Sequence, residues 1–163
     1  KKTLLTECSI MWIDTAGSGA EESRDPNTFS LYNETEMDLV GKVVKKLVGS
    51  GISPPQIGII APYSAQVIRL RVQNPEIEVN TVNAFQGREK EIIICSFVRC
   101  NAQGELGFVS DQRRLTVALT RAKRLWIGIG DSPTLDGSRP FSAMFSTLEK
   151  KGLWQSYWDW YND

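Results

Sequence analysis

Apolar positions along the chain alternate between two kinds of pattern, dense short runs and helical spacing. Residues 9–15 (SIMWIDT) form a short apolar run that reads as a buried strand, and the polar stretch 16–28, with Gly17, Gly19 and Pro26, reads as a loop. Asn33 stands three residues before Glu36, a spacing that resembles a capping box opening a helix. Met37, Val40, Val43, Val44, Leu47 and Val48 follow at helical spacing and predict one apolar face, ended by Gly49, Gly51 and Pro54-Pro55. Residues 57–61 (IGIIA) are a continuous apolar run, short enough for a strand buried on both faces. Pro62-Tyr63-Ser64 turns the chain into a second helix carrying Val67, Ile68, Leu70 and Val72. Residues 79–82 predict another strand, and 91–98 (EIIICSFV) are the most β-prone stretch of all. Residues 101–108, with two glycines, read as a hairpin or loop. Asp111 is placed to cap a helix through about Lys123, with Leu115, Ala118, Leu119 and Ala122 along one side. Residues 125–129 (LWIGI) give a last inner strand and 141–150 a last helix.

This alternation predicts an α/β fold: a single domain over residues 1–163 with a mainly parallel sheet and helices on both faces. The end of the chain, residues 152–163, is rich in aromatic side chains and is expected to pack against the domain. Composition agrees with a globular domain, since 41% of the 163 residues are apolar and 23% charged. Lysine plus arginine equals aspartate plus glutamate at 19 each, so any contact with nucleic acid must come from a local patch. Histidine is absent, which removes the commonest general base and the commonest metal ligand. Cys8, Cys95 and Cys100 form no CxxC pair and read as buried thiols of a reducing compartment, so an intracellular protein of nucleus or cytoplasm is expected. No apolar run reaches the roughly 20 residues that span a bilayer, and no membrane association is expected. The start, Lys-Lys-Thr-Leu-Leu-Thr, is too short and polar for a signal peptide, and the missing initiator Met suggests a piece of a longer protein.

In open α/β sheets, ligands gather where strand ends meet helix starts. Three loops qualify: residues 61–66, 83–90 and 111–124. In the second, Gly87 permits close backbone approach to a ligand, Arg88 suits a phosphate and Glu89 a ribose hydroxyl. Taken alone, a polar loop with one glycine is equally a plain turn. In the third, five of the twelve residues 113–124 are cationic, and Arg114 and Arg121, seven apart, share a helical face. Solvated surface charge is the simpler reading there. Against it, Arg121 lies beside small and apolar residues, where an unpaired arginine is costly. An arginine so placed could meet the charge that develops on a transferring phosphoryl group. No GxxxxGK[ST] phosphate loop is present, and no apolar run ends in a paired acidic Mg²⁺ site. Any nucleotide chemistry is therefore expected from half of a shared site. The absence of GxGxxG argues against a dinucleotide-binding enzyme.

Together the loops resemble the motifs of a known family. Residues 30–66 (SLYNETEMDLVGKVVKKLVGSGISPPQIGIIAPYSAQ) look like an asparagine-plus-glutamate helix followed by motif IV. Residues 79–101 (VNTVNAFQGREKEIIICSFVRCN) look like motif V, and 106–131 (LGFVSDQRRLTVALTRAKRLWIGIGD) like motif VI. From Met11 to about Asp131 the chain resembles the second RecA-like domain of superfamily 1B helicases, the Upf-like group. It stands near the immunoglobulin mu-binding, Dna-two and senataxin branches, with residues 96–107 favouring the first.

The resemblance implies a P-loop NTPase fold lacking its own P-loop. It implies the second motor domain of an ATP-dependent 5′-to-3′ helicase or translocase on single-stranded DNA or RNA. An N-terminal RecA-like domain of the same chain would supply the P-loop lysine, the Mg²⁺ ligands and the water-activating acid. By the same resemblance Arg121 is the arginine finger, Gly87 and Glu89 meet the γ-phosphate and ribose, and Gln86 and Arg88 support that loop. Tyr63 and Gln66 would lie near the nucleotide, and Arg114 would anchor its helix or link ATP to the strand. Thr81, Asn83 and Pro62 would face the single strand. Three positions depart from the family pattern: Asn83 for aspartate, Thr116 for asparagine, and Val67 where some members carry a phosphate-binding arginine that Arg69 or Arg71 would have to replace. The alternative readings are a non-catalytic nucleic-acid or protein binding module with this fold, and an inactive motor kept as a scaffold.

Overall fold

A computed structural model describes residues 9–85 and 88–163, the Phe108 side chain excepted. β1 (Ser9–Asp14) leads through a small hairpin, β2 (Ser23–Arg24) and β3 (Leu31–Tyr32), into helix α1 (Glu34–Gly49). β4 (Ile57–Ile60), α2 (Ser64–Gln73) and β5 (Glu78–Asn80) follow. Then come β6 (Lys90–Ser96), α3 (Gln112–Thr120) and β7 (Ala122–Gly130). The short α4 (Ser132–Leu135), α5 (Arg139–Lys150) and β8 (Trp154–Ser156) complete the order.

Six strands form one sheet in the order β5-β4-β6-β7-β1-β8, and every pairing is parallel. Parallel strands lie buried under helices on both faces, which is why their sequences are nearly continuous apolar runs. Alternate residues serve opposite faces. Ile93 and Cys95 of β6 join a core with Trp12, Trp126, Leu115, Phe141 and Phe145, beneath α3 and α5. Ile92 and Ile94 join the other core with Leu39, Val43, Val67 and Leu70, beneath α1 and α2. The first face is strongly aromatic. Trp12 lies 4.8 Å from Phe145 and 5.6 Å from Phe97 between ring centroids. It fits because β7 presents Gly128 to it: a Cβ there would sit 2.4 Å from the Trp12 ring.

Several boundaries differ from the periodicity for identifiable reasons. Asp111 caps α3 as expected, accepting from the Arg113 and Arg114 amides, but the helix stops at Thr120 rather than Lys123. The Lys90 amide takes the Arg121 carbonyl at 2.9 Å and Ala122 pairs with Lys90, so sheet pairing captures residues that helix spacing had claimed. At the start of α1 only half a capping box forms. Asn33 Oδ1 accepts from the Glu36 amide, while the Asn33 amide donates to Gln66 and the Glu36 carboxyl turns to β6 instead. The aromatic tail does pack: β8 adds to the open edge of β1 and Trp160 is buried, although Trp158 and Tyr161 stay exposed.

The chain leaves β4 for β5 on one side, and leaves the neighbouring β6 for β7 on the other. The carboxyl ends of β4 and β6 therefore flank a switch point, where such sheets open a crevice.

Candidate functional site

The switch-point crevice is real and small. Pro62, Thr81, Asn83, Ser96 and Arg114 are among the residues lining a cleft of about 50 Å³. A neighbouring depression of about 230 Å³, lined with Arg113 and Val117, shares Val82, Asn83, Asp111 and Arg114 with it. Pro62, Thr81 and Asn83, predicted to face a single strand, thus converge. Arg114 joins them, on the first turn of α3, with its Nε 3.6 Å from Asp111 Oδ2 and its side chain part exposed.

The opposite edge, at the amino ends of β6 and β7, holds the other candidates. Residues 81–85 leave the carboxyl edge through the 3₁₀ turn Asn83–Phe85, and residues 88–89 lead into β6 at the amino edge. Phe85 anchors this segment: it is fully buried, against Gly58 of β4. Arg88 then pairs with Glu78, donates to the Ala84 carbonyl at 2.8 Å and lies over the Phe85 ring. Arg121 follows the last turn of α3. Its Nη1 donates to the Arg88 carbonyl at 3.4 Å and its Nη2 to Thr120 Oγ1 at 3.0 Å, while its buried Nε has no partner. Among the described residues no carboxylate pairs with Arg121, although Arg69, Arg88, Lys90, Arg99 and Arg124 all have one. Glu89 is exposed beside it. Gln86 and Gly87 lie outside the described residues.

Tyr63 and Gln66, predicted to lie near the nucleotide, are bonded within the domain away from Arg121. Gln66 is fully buried, and its amide accepts from the Asn33 amide and donates to the Asn33 carbonyl and Ser96 Oγ. Every polar atom of that side chain is engaged, which leaves nothing to offer a ligand. Tyr63 is nearly buried and its hydroxyl accepts from Arg99 Nη1 at 3.0 Å, on the carboxyl edge rather than beside Arg121. Arg69 is held by Asp25 and stacks 3.7 Å from the Tyr32 ring centroid, and Arg71 bonds Val79 O and Asn80, so neither reaches the Arg121 corner. Thr116 bonds its own helix at the Gln112 carbonyl, on the groove between α3 and α5.

Sequence periodicity had not singled out a buried polar knot behind the crevice. Glu36 is wholly enclosed, accepting from Ser96 Oγ at 2.7 Å and the Val98 amide at 2.9 Å. Burial, only partly offset by these hydrogen bonds, pushes its carboxyl up to about 8. Asn33 ties the Ala20 and Val98 carbonyls together. The knot holds Val98, a β-branched residue, at φ 70°, where such residues are rarely found. It fixes the loop leaving β6, and the signal for it was the Asn33/Glu36 spacing, read as a cap and as part of the family's asparagine-plus-glutamate helix.

Among the described residues, no group of three acidic, cysteine or histidine side chains could hold a metal ion. Cys95 and Cys100 are free thiols, both pushed up by burial, Cys100 to about 12. No helix among the described residues is long and apolar enough to cross a membrane.

The sequence matches the AAA_12 family, described as an AAA domain, over residues 1–133. It is 36% identical to the DNA-binding protein SMUBP-2 of Rattus norvegicus across 97% of this chain and 16% of that protein. It is 38% identical to the DNA polymerase alpha-associated DNA helicase A of Saccharomyces cerevisiae across 80% of this chain and 20% of that one. It is 40% identical to a regulator of nonsense transcripts 1 homolog of Drosophila melanogaster across 89% of this chain and 12% of that one. The chain thus spans a fifth or less of the length of these relatives. The C-terminal domain of a possible DNA helicase from Lactobacillus plantarum WCFS1 shares the fold, with a TM-score of 0.53 over 93% of this chain and 85% of that one at 11% identity. With the parallel sheet, the order of the motifs and these relatives in hand, the chain belongs to the AAA_12 family, as a C-terminal RecA-like domain of the superfamily 1B helicase type.

Proposed function

We propose that this domain is the second motor half of an ATP-dependent 5′-to-3′ helicase or translocase, acting on single-stranded DNA or RNA. The observation that carries the proposal is Arg121: a half-buried guanidinium, oriented by two neutral oxygens and left without a carboxylate among the described residues. Such a charge is costly until an anion arrives. A pre-oriented cation at the edge of a domain is the arrangement that stabilises a transferring phosphoryl group without reorganising. In this reading ATP binds between this domain and an N-terminal RecA-like domain of the same chain. Arg121 meets the γ-phosphate, Glu89 the ribose, and Arg88, with Gln86 and Gly87, shapes the loop. Mg²⁺, which neutralises phosphate charge when bound, would be held by the other domain. The domain alone would not hydrolyse ATP.

The nucleic-acid side of the reading rests on Thr81, Asn83, Pro62 and Arg114, gathered at the opposite edge. Hydroxyls and amides contact phosphate without requiring a basic surface, which suits the zero net charge. Residues 81–83 stand at the proposed strand edge and residues 88–89 at the proposed nucleotide edge, and helix α3 runs between the two. Closure of the two domains around ATP would thereby be felt at the strand, and opening after hydrolysis would advance the motor.

The test is Arg121→Ala in the full-length protein, with strand-stimulated turnover and ATP affinity measured separately. Turnover should fall by about 10³-fold or more with ATP binding changed far less. Equal losses in both would remove the finger role, and undiminished turnover would remove the half-site reading.

A further inference from the structure

The carboxyl edge carries a second cavity, next to the Thr81–Asn83 cleft and separate from it. It is an open depression of about 400 Å³ lined by Arg24, Thr28, Phe29, Tyr63, Arg99 and Gly107 together with Ser30 and Leu31. That volume falls within the range of small-molecule sites. The two cavities meet at one turn, since Pro62 lines the first and Tyr63 the second.

Phe29 is the unusual feature. It is 66% exposed, and its backbone sits at φ 62°, a region that bulky side chains rarely occupy. The β2–β3 loop holds it there with several bonds. The Phe29 amide donates to the Asp25 carbonyl at 2.8 Å, and the Asp25 amide to the Ser30 carbonyl at 2.8 Å. Arg24 Nη1 donates to the Phe29 carbonyl at 2.8 Å. Asp25 Oδ1 accepts from the Asn27 and Thr28 amides, and Oδ2 from Arg69, so the carboxylate that would repel an anion is already paired. A bulky residue braced in a strained backbone conformation points to a use for the side chain it presents.

The rest of the cavity complements that ring. Arg99, only 6% exposed, spans the floor from Glu22 to the Tyr63 hydroxyl, with the Glu105 carboxylate 3.7 Å from its Nη2. Arg24 stands exposed at the wall with no carboxylate partner among the described residues. Gly107 keeps the space open: at φ 52°, its Cβ would lie 2.6 Å from Arg99 Nη1 and 2.9 Å from the Tyr63 hydroxyl. One aromatic face, one cation without a carboxylate partner among the described residues and a hydroxyl above a polar floor match a nucleotide unit: a flat base, a phosphate and base or sugar hydrogen-bonding groups.

Resting on the proposed reading of this chain as a strand-binding motor domain, we infer that this cavity takes one nucleotide of the bound single strand, just beyond the Thr81–Asn83 contact, with the base stacked on Phe29 and the phosphate at Arg24. Stacking on an aromatic face is tolerant of sequence, as a translocating motor requires.

The experiment uses the full-length protein and a dye-labelled oligothymidylate, with Phe29→Ala, Phe29→Trp, Thr81→Ala and Arg114→Ala variants. Phe29→Ala should weaken binding about tenfold, near 1.4 kcal/mol, while Phe29→Trp stays near wild type. A 5-iodouracil-substituted oligonucleotide should cross-link on irradiation to the Phe29 peptide. If Phe29→Ala binds as wild type while Thr81→Ala or Arg114→Ala weakens, the subsite falls and the motor reading stands. Equal losses in Phe29→Ala and Phe29→Trp would assign the effect to loop damage and also overturn it. A wild-type protein that binds no single strand removes both.

Discussion

At the scale of single residues, the polar groups of this domain divide by whether their charge is satisfied. Glu36 accepts hydrogen bonds at one carboxyl oxygen while the other is buried without a partner, so burial pushes its carboxyl from 4.5 to about 8. The folded chain then retains a proton that the unfolded chain releases. Its contribution to stability is full below about pH 4.5 and is lost as pH rises through about 8. Glu36→Gln keeps an oxygen for Ser96 and the Val98 amide without the ionisation. Its melting temperature should therefore decline less between pH 5 and pH 8.5 than that of the parent chain, and parallel melting curves across that window would refute the shift. Arg121 is the opposite case, a charge held by neutral oxygens only, and Phe29 is an apolar counterpart held out to water. Spacing placed Arg121 on the face of Arg114, and the family resemblance gave it a role. Nothing in the sequence marked Phe29, because its conformation depends on a loop braced by Arg24, Asp25 and Arg69.

At the scale of elements, α3 links the two edges, and the segment between β5 and β6 is anchored by one buried side chain, Phe85. Phe85 fits because β4 carries Gly58 opposite it. A Cβ at Gly58 would meet Ile93 Cδ1 at 2.9 Å and Phe85 Cζ and Lys90 Cγ at 3.1 Å. Gly58→Ala should cost about 1–3 kcal/mol by overpacking, measured by urea unfolding, and should displace that segment as well as weaken the core. An unchanged unfolding midpoint would mean that Phe85 and Ile93 can move aside freely. The dense run at 91–98 and the helix at 33–48 were legible because packing on both faces demands apolar residues at most positions. The end of α3 was not, since helix spacing and sheet capture compete there and a distant partner, Lys90, decides. Small elements such as β2, β3 and α4 carry too few residues to show a period.

At the scale of the whole molecule, the proposed reading makes this domain one half of a motor. The chain has no GxxxxGK[ST] loop, and it spans 16% of SMUBP-2 and 12% of the regulator of nonsense transcripts 1 homolog. The chain by itself is therefore expected to show no ATP turnover above background, with or without a single strand, in a phosphate-release assay. The full-length protein should turn over ATP and respond to the strand. Turnover by the 163-residue chain alone would demand a phosphate cradle that the motifs do not contain.

The sequence by itself determined the alternation of strands and helices, the two-sided burial of the sheet, and the family, because these follow from local periodicity and from long ordered motifs. Only the tertiary structure decided which motif residues share an edge. It separated Thr81, Asn83 and Arg114 from Arg88 and Arg121, withdrew Gln66 into the core, and turned Tyr63 towards Arg99. Strand order is the physical reason: neighbours in the sheet are distant in the chain, and no local pattern records which loops they bring together.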